Sequence, residues 1–234
     1  MHNTGPEMIN RRATKDPKLG RTDPRSAETK ADLVEAAIEL FGLIGFEGTS
    51  TRAISKAAGT ALSAIPYHFK TKHALYLAAA ESIAEAVSMR LGPALDAFEG
   101  EIYGDALSRK RAIALLEEVF VPFVLMLASE ESETWARFTL REQSAPTEAF
   151  EILFASDIGR FFKTVCYLTA IATNETPGSP ASRVRGMTLV GQALAFRAAR
   201  ALSLRLMQKD SIAASDLSVI SATIRENIRL FEHV

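Results

Sequence analysis

Residues 49–72, TSTRAISKAAGTALSAIPYHFKTK, leave the chain few ways to fold. Thr49 is placed to cap a helix that runs through Ile54 to about Ala58. Gly59 then permits a sharp turn, and a short second helix follows over residues 62–69. The pattern predicts helix, tight turn, helix. From Gly48 to Ala80 there are four basic residues (Arg52, Lys56, Lys70, Lys72), two histidines (His68, His73) and no acid, although the whole chain carries 27 Lys and Arg against 28 Asp and Glu. A local positive patch on a nearly neutral chain points to a phosphate backbone as partner.

A chain of 234 residues can bury a full apolar core in one large domain or two modest ones, without disulfide or metal staples. Hydrophobic residues make up 47% and charged residues 24%, the balance of a soluble globular protein, which excludes disorder of the whole. No apolar run approaches the ~18 residues that span a bilayer. The opening MHNTGPEMIN has neither the apolar core nor the cleavage pattern of a signal peptide, so a cytoplasmic protein with no membrane partner is expected. Cys166 has no second cysteine to pair with, which agrees with a reducing compartment; set between Val165 and Tyr167, it reads as a buried structural thiol.

Residues 1–25 hold Arg11, Arg12, Lys15, Lys18, Arg21 and Arg25 against three acids, with almost no apolar periodicity. They read as a basic arm, lying either along DNA phosphates and the minor groove or in solvent as a tail. Helical period begins at Ser26, where Leu33, Ala37, Leu40 or Phe41, and Ile44 share a face. Gly45 can take the left-handed conformation that ends this helix, with Phe46 folded back onto Phe41. Thr71 is placed to cap a longer helix that should stop at Gly92 and Pro93, leaving an irregular stretch over 94–104. Further helices are expected over 105–128 (bent by Pro122), 132–143, 147–172, 181–208 and 215–232. No segment shows the alternation of a strand.

The run GFEGTSTRAISKAAGTALSAIPYHFKTKHALY resembles the N-terminal DNA-binding module of TetR/AcrR-type transcriptional regulators. Gly45, Phe46, Thr49, Ser50, Ile54, Ala58, Gly59, Tyr67, His68, Phe69, Lys72, Leu75 and Tyr76 all fall in register with that pattern. LREQSAPTEAFEIL and GQALAFRAARALSLRLM, in the second half, resemble the CecR-like branch of the family. The resemblance implies an all-α fold. A three-helix helix-turn-helix domain over 26–72 would follow the arm, and a helical ligand-binding and dimerisation domain would occupy 73–234. The chain departs from the family pattern at Ala61, where Ser or Thr often caps the recognition helix, at Pro66 late in that helix, and at His73, where an acid often follows the Lys.

In a helix-turn-helix the second helix enters the major groove while the first crosses the backbone. Between Gly59 and Lys70 there is no Arg, Asn or Gln, so the bidentate pairings that discriminate guanine or adenine are missing. Thr60 and Ser63 remain, with Ala61 and Leu62 for thymine methyls; DNA shape and the arm would supply the rest. Arg52, Tyr67, His68 and Lys72 are the phosphate contacts that the resemblance implies. Thr49 and Ser50 are candidates for the same backbone, Thr49 reading equally as a cap and His68 as a structural hydrogen bond.

The second half offers no His-Glu-x-x-His, no paired cysteines and no Gly-rich phosphate loop, so neither an enzyme nor a cofactor is expected. Its aromatic and methionine side chains read as core one by one. In this family some are expected to line a pocket for a small-molecule effector, the candidates being Phe123, Met126, Trp135, Phe138, Phe162 and Met187. Arg137 and Arg141, one turn apart, are either the polar groups that orient a ligand or solvated arginines. Leu217, Ile220, Ile224, Ile228 and Phe231 at near-heptad spacing, with the small residues of 181–208, suggest a homodimer through the last two helices, intrachain packing being the alternative. The expected protein is a dimeric repressor on a palindromic operator of double-stranded DNA, released by a small molecule. A regulator without a ligand, or a helical enzyme or carrier, are the other readings.

Overall fold

The computed structural model describes residues 24–102, 107–128 and 130–233, and all of its regular elements there are helical. In chain order they are α1 (Pro24–Gly48), α2 (Thr51–Ala57), α3 (Ala64–His68), α4 (Lys72–Ile102), α5 (Arg109–Ala128), α6 (Glu130–Ser144), α7 (Glu148–Ala155), α8 (Asp157–Ala172), α9 (Pro180–Ala198), α10 (Arg200–Met207) and α11 (Ala214–Arg229), closed by a 3-10 turn, Leu230–His233. The basic arm lies outside the described residues, except for Pro24 and Arg25 in the first turn of α1.

Leu33, Ala37 and Phe41 of α1 pack with Ile54 of α2 and with Ile65 and Phe69 around α3, all at or below 7% exposure, so one long and two short helices share one small core. Gly45 interrupts α1 at φ 79° and ψ 172°, a conformation that costs a side-chain-bearing residue. Phe46 stacks back on Phe41 with ring centroids 5.8 Å apart, the hydrophobic return that such a stop favours. The cap of α2 is Ser50, whose Oγ accepts from the Ala53 N–H at 3.1 Å, and not Thr49. Thr49 is buried, and its hydroxyl donates to the Gly45 carbonyl at 2.7 Å, with the Leu40 carbonyl at 3.2 Å. It closes α1 instead of opening α2.

Thr71 caps α4 as its position suggested, accepting from the Ala74 N–H at 3.0 Å. Contrary to the sequence expectation, α4 passes through Gly92 and Pro93 and continues to Ile102. Leu91, Gly92, Leu95 and Ile102 are buried on one side, while Pro93 and Met89 are exposed, so water can serve the carbonyl that proline's missing N–H leaves behind. Tertiary burial outweighs the local break. The expected 147–172 helix is two, α7 and α8, divided by Ser156, whose Oγ accepts from the Ile158 N–H at 3.2 Å. Likewise 181–208 is α9 and α10, with Ala199 between them.

α4 packs against α1 and also against α5, α7 and α8, so one helix belongs to both halves of the molecule. Within the second half, Phe120, Phe123 and Phe161 form an aromatic centre, the last two stacked at 4.2 Å. α9 lies close on α8, and a Cβ at Gly186 would sit 2.7 Å from Cys166 Sγ, so only glycine permits this approach. α11 lays Ile220, Ile224 and Ile228 inward against α5 and α9. That inward seam is intrachain packing and is not available to a second subunit.

Candidate nucleic-acid interface and regulatory cavity

The basic patch has a sorted geometry. Arg52 and Lys56 on α2 and Lys70 after α3 are exposed, and none makes an ion pair among the described residues. The reading helix is shorter than expected: α3 begins at Ala64, so Thr60, Ala61, Leu62 and Ser63 form the turn that leads into it. Ser63 stands at the N-cap without a side-chain hydrogen bond. Leu62 and Tyr67 project at 52% and 77% exposure, while Ile65 and Phe69 anchor the opposite side. The His68 ring lies edge-on to Tyr67 at 4.8 Å, and Pro66 is accommodated inside a helix of one turn.

Lys72 differs from the other cations. Its Nζ donates to the Phe46 carbonyl at 2.8 Å and the Thr49 carbonyl at 3.1 Å, and sits 4.1 Å from the centre of the Phe46 ring. An ammonium has three donors, so two are committed to holding the α1–α2 turn on the first turn of α4. Tyr76, one turn further on, packs edge-on against Phe41 at 4.8 Å and donates to Glu142 of α6. Glu142 is buried and also accepts from the Thr147 N–H at 3.0 Å and the Thr147 hydroxyl at 2.9 Å. Burial, and then the Glu142 hydrogen bond, push the Tyr76 hydroxyl well above its ordinary pKa. The head is thus tied to the body at a second point.

A third tie comes from Arg141. Its Nε donates to the Gly42 carbonyl at 2.7 Å and its Nη2 to the Leu43 carbonyl at 2.7 Å. Arg141 therefore faces the end of α1, whose terminal carbonyls lack partners within the helix, and not the interior of the second half. Arg137 lies on the outside of the same α1–α6 contact, where a Cβ at Gly42 would meet its Cβ at 3.1 Å.

A cavity of about 130 Å³ lies among α4, α5, α6, α8 and α9. Phe123, Met126, Trp135 and Phe162 line it, as do Val87, Leu91, Thr139, Gln143 and Leu194. Phe138 does not; it is buried against Tyr76 at 4.9 Å on the α1 side of α6. Met187 does not either, being 49% exposed on the outer face of α9. Arg197 was not singled out from the sequence, yet it lines the cavity at 9% exposure. The signal was present: Arg197 follows Gly186, Val190 and Ala193 at helical spacing, a cation on an apolar stripe. A larger open groove, about 620 Å³, runs between α1, α4 and α6, rimmed by Glu35, Glu81 and Glu85. Among the described residues no cluster could hold a metal ion, and no single helix is long and apolar enough to cross a bilayer.

A short helix-turn-helix carried on a larger helical body defines a transcriptional regulator. The match to the tetR family of bacterial regulatory proteins covers residues 33–79, and residues 112–231 match the C-terminal domain of the HTH-type transcriptional dual regulator CecR. The chain belongs to the tetR family, with a C-terminal domain of the CecR type. Over 173 residues it is 27% identical to the CecR regulator of Shigella flexneri, covering 74% of this chain and 77% of that one. Its fold is shared with AmtR of Mycobacterium smegmatis (TM-score 0.57, 18% identity, covering 91% of this chain and 89% of the other). It is shared also with HlyIIR, a hemolysin II transcriptional regulator (TM-score 0.57, 16% identity, covering 85% and 97%). Regulators of this family bind DNA and dimerise.

Proposed function

We propose that the protein is a homodimeric repressor that occupies a palindromic operator and is released from it by a small molecule bound in the α4–α9 cavity. One observation carries the reading. α6 lines that cavity with Trp135, Thr139 and Gln143, and from the same helix Arg141 holds the last carbonyls of α1 in the DNA-binding head. An occupant that shifts α6 therefore acts on the head through a direct hydrogen-bonded contact. Ligand and DNA need only prefer different positions of that contact, and the coupling is reciprocal.

In this reading residues 26–72 form the head and 73–234 the body. Arg52, Tyr67, His68 and the third donor of Lys72 grip phosphates, together with Ser50 and the N-terminus of α2. Thr49 supports them from the core. Thr60, Ala61, Leu62 and Ser63 meet base edges, chiefly thymine methyls, and DNA shape carries much of the specificity. The dimer forms through the faces of the last two long helices that remain exposed, including Val184 and Met187 on α9 and Val219 on α11. A two-fold dimer requires half-sites separated by whole helical turns of roughly 34–36 Å.

The test is a gel shift with the DNA upstream of the protein's own gene, repeated across a salt series. Specific retardation that falls steeply with salt is expected; binding no stronger than to unrelated DNA sinks the proposal. A regulator with no small-molecule ligand is the second reading, favoured by a filled body core, and the cavity weighs against it.

A further inference from the structure

The α4–α9 cavity and the open groove lie against different faces of α4. Ile83, Val87 and Leu91 line the cavity, whereas Ser82, Ala86 and Met89 line the groove. Among the described residues Trp135 of α6 is the one that lines both. α6 packs closely on α1, and it meets α4 through side chains, Phe138 and Glu142 with Tyr76 at one end and Trp135 with Arg90 at the other. The indole is therefore the wall between the two spaces.

That wall differs from the others. Ile83, Val87, Leu91 and Phe161 are at or below 3% exposure, so each is backed by packed core and cannot move without disturbing it. Trp135 is only half-buried and is backed by the groove of about 620 Å³, whose surfaces there are small: Ala27, Ala31, Ala78, Ser82 and Ala86. From the groove side the Arg90 guanidinium lies 5.0 Å from the indole, itself donating to the Ala86 carbonyl at 2.8 Å. Such a cation–π contact favours the closed position and is weak enough outside a dry core to be exchanged for a guest. The Thr139 hydroxyl lies 3.1 Å from the Trp135 and Ala136 carbonyls, so the main chain of α6 is held and rotation of the side chain is the motion left. With the indole in place, about 130 Å³ is close to the ~150 Å³ that accommodates one benzene ring in an apolar protein cavity. Resting on the effector reading above, we propose that Trp135 partitions a two-chamber site for an apolar effector of more than one ring, which seats one end in the cavity, turns the indole into the groove and reaches α1 there. Ala27, Ala31, Val34 and Ile38 of α1 line that second chamber, so the effector touches the head itself.

Two uncharged probes test the partition in the full-length protein: benzene, which fits the closed cavity, and N-phenyl-1-naphthylamine, a larger dye that brightens on leaving water. Trp135→Ala is expected to bind the dye with a Kd about tenfold or more below that of the unaltered protein. Excess benzene should displace it, as it would not displace dye adsorbed elsewhere on the surface. If that variant does not fold by circular dichroism, Trp135→Val is held to the same expectation. Ala86→Leu lies outside the cavity and fills the space behind the indole. It should raise the Kd of the dye at least about fivefold and leave that of benzene within about twofold. Trp135 is the chain's only tryptophan, so its emission reads the benzene titration without a label. If either loss of the indole or filling of the groove leaves the dye's affinity unchanged, the partition is overturned and the effector reading stands. If neither probe binds the unaltered protein or Trp135→Ala, and neither alters operator affinity, both are overturned.

Discussion

Arg52 and Lys72 contribute the same charge to the same patch but have different surroundings. Arg52 is exposed, so Arg52→Ala should leave the melting temperature nearly unchanged, weaken binding to every DNA sequence, and lower the slope of log affinity against log salt by about 0.9, one phosphate's worth. Lys72 holds two carbonyls, and Lys72→Ala should both weaken DNA binding and destabilise the fold by about 1–2 kcal/mol. In a thermal melt that is a fall of roughly 2–8 °C for a chain of this size. Equal melting temperatures for the two variants would refute the distinction. Sequence could place Lys72 in register but could not say where its ammonium points, because the acceptors lie 23 and 26 residues away along the chain. The Phe41–Gly45–Phe46 stop was legible for the opposite reason: all of its parts lie within one turn and a half.

At the scale of single helices, α6 is the element on which the proposed regulation turns. Arg141→Ala should leave occupancy of the cavity, read at Trp135, intact and cut the effect of an effector on operator affinity by at least about fivefold. Undiminished release in that variant would mean that α6 does not transmit the signal through this contact. α11 gives a separate test at its first turn. There Asp216 accepts from the Ala213 N–H at 2.9 Å and pairs with Lys209 at 3.2 Å. The Ala213 N–H, and then Lys209, hold its carboxyl below the usual range. A depressed pKa stabilises the fold above the unfolded value of about 3.9, and the benefit is lost as pH falls through the folded value. Unaltered protein should therefore melt above Asp216→Asn at pH 7, and the gap should close below about pH 4. A gap constant across that range would exclude the assignment. The helix breaks that sequence missed have local causes that are easy to overlook: Ser156-Asp157 is an ordinary cap and first-turn acid inside an apolar run. The break it falsely supplied, at Pro93, fails because Leu91, Leu95 and Ile102 are buried beyond the reach of local rules.

For the molecule as a whole, the all-helical class and the division into head and body could be read directly, since periodicity and the 49–72 motif are both continuous in sequence. Which helix faces meet could not. The spacing of Ile220, Ile224 and Ile228 suggests a partner subunit, with intrachain packing as the alternative, and the structure gives them to α5 and α9. What α9 and α11 leave outside includes Val184 at 66% and Val219 at 65% exposure. Val219→Glu is expected to keep the monomer's circular dichroism and to dissociate the dimer in sedimentation, with loss of the steep operator binding that two linked heads provide. A dimer that persists in the variant would move the interface to another face.

The hydrogen bonds donated by Lys72 and Arg141 end on main-chain oxygens, those of Phe46, Thr49, Gly42 and Leu43. A carbonyl is the same group whatever side chain its residue bears. On the proposed reading, the surface from Thr60 to His68 can therefore be rewritten by mutation to address another operator, while the joint proposed to carry the signal goes on working. A lineage built this way can change what it reads and what it senses independently, which is a route by which one regulator gives rise to many.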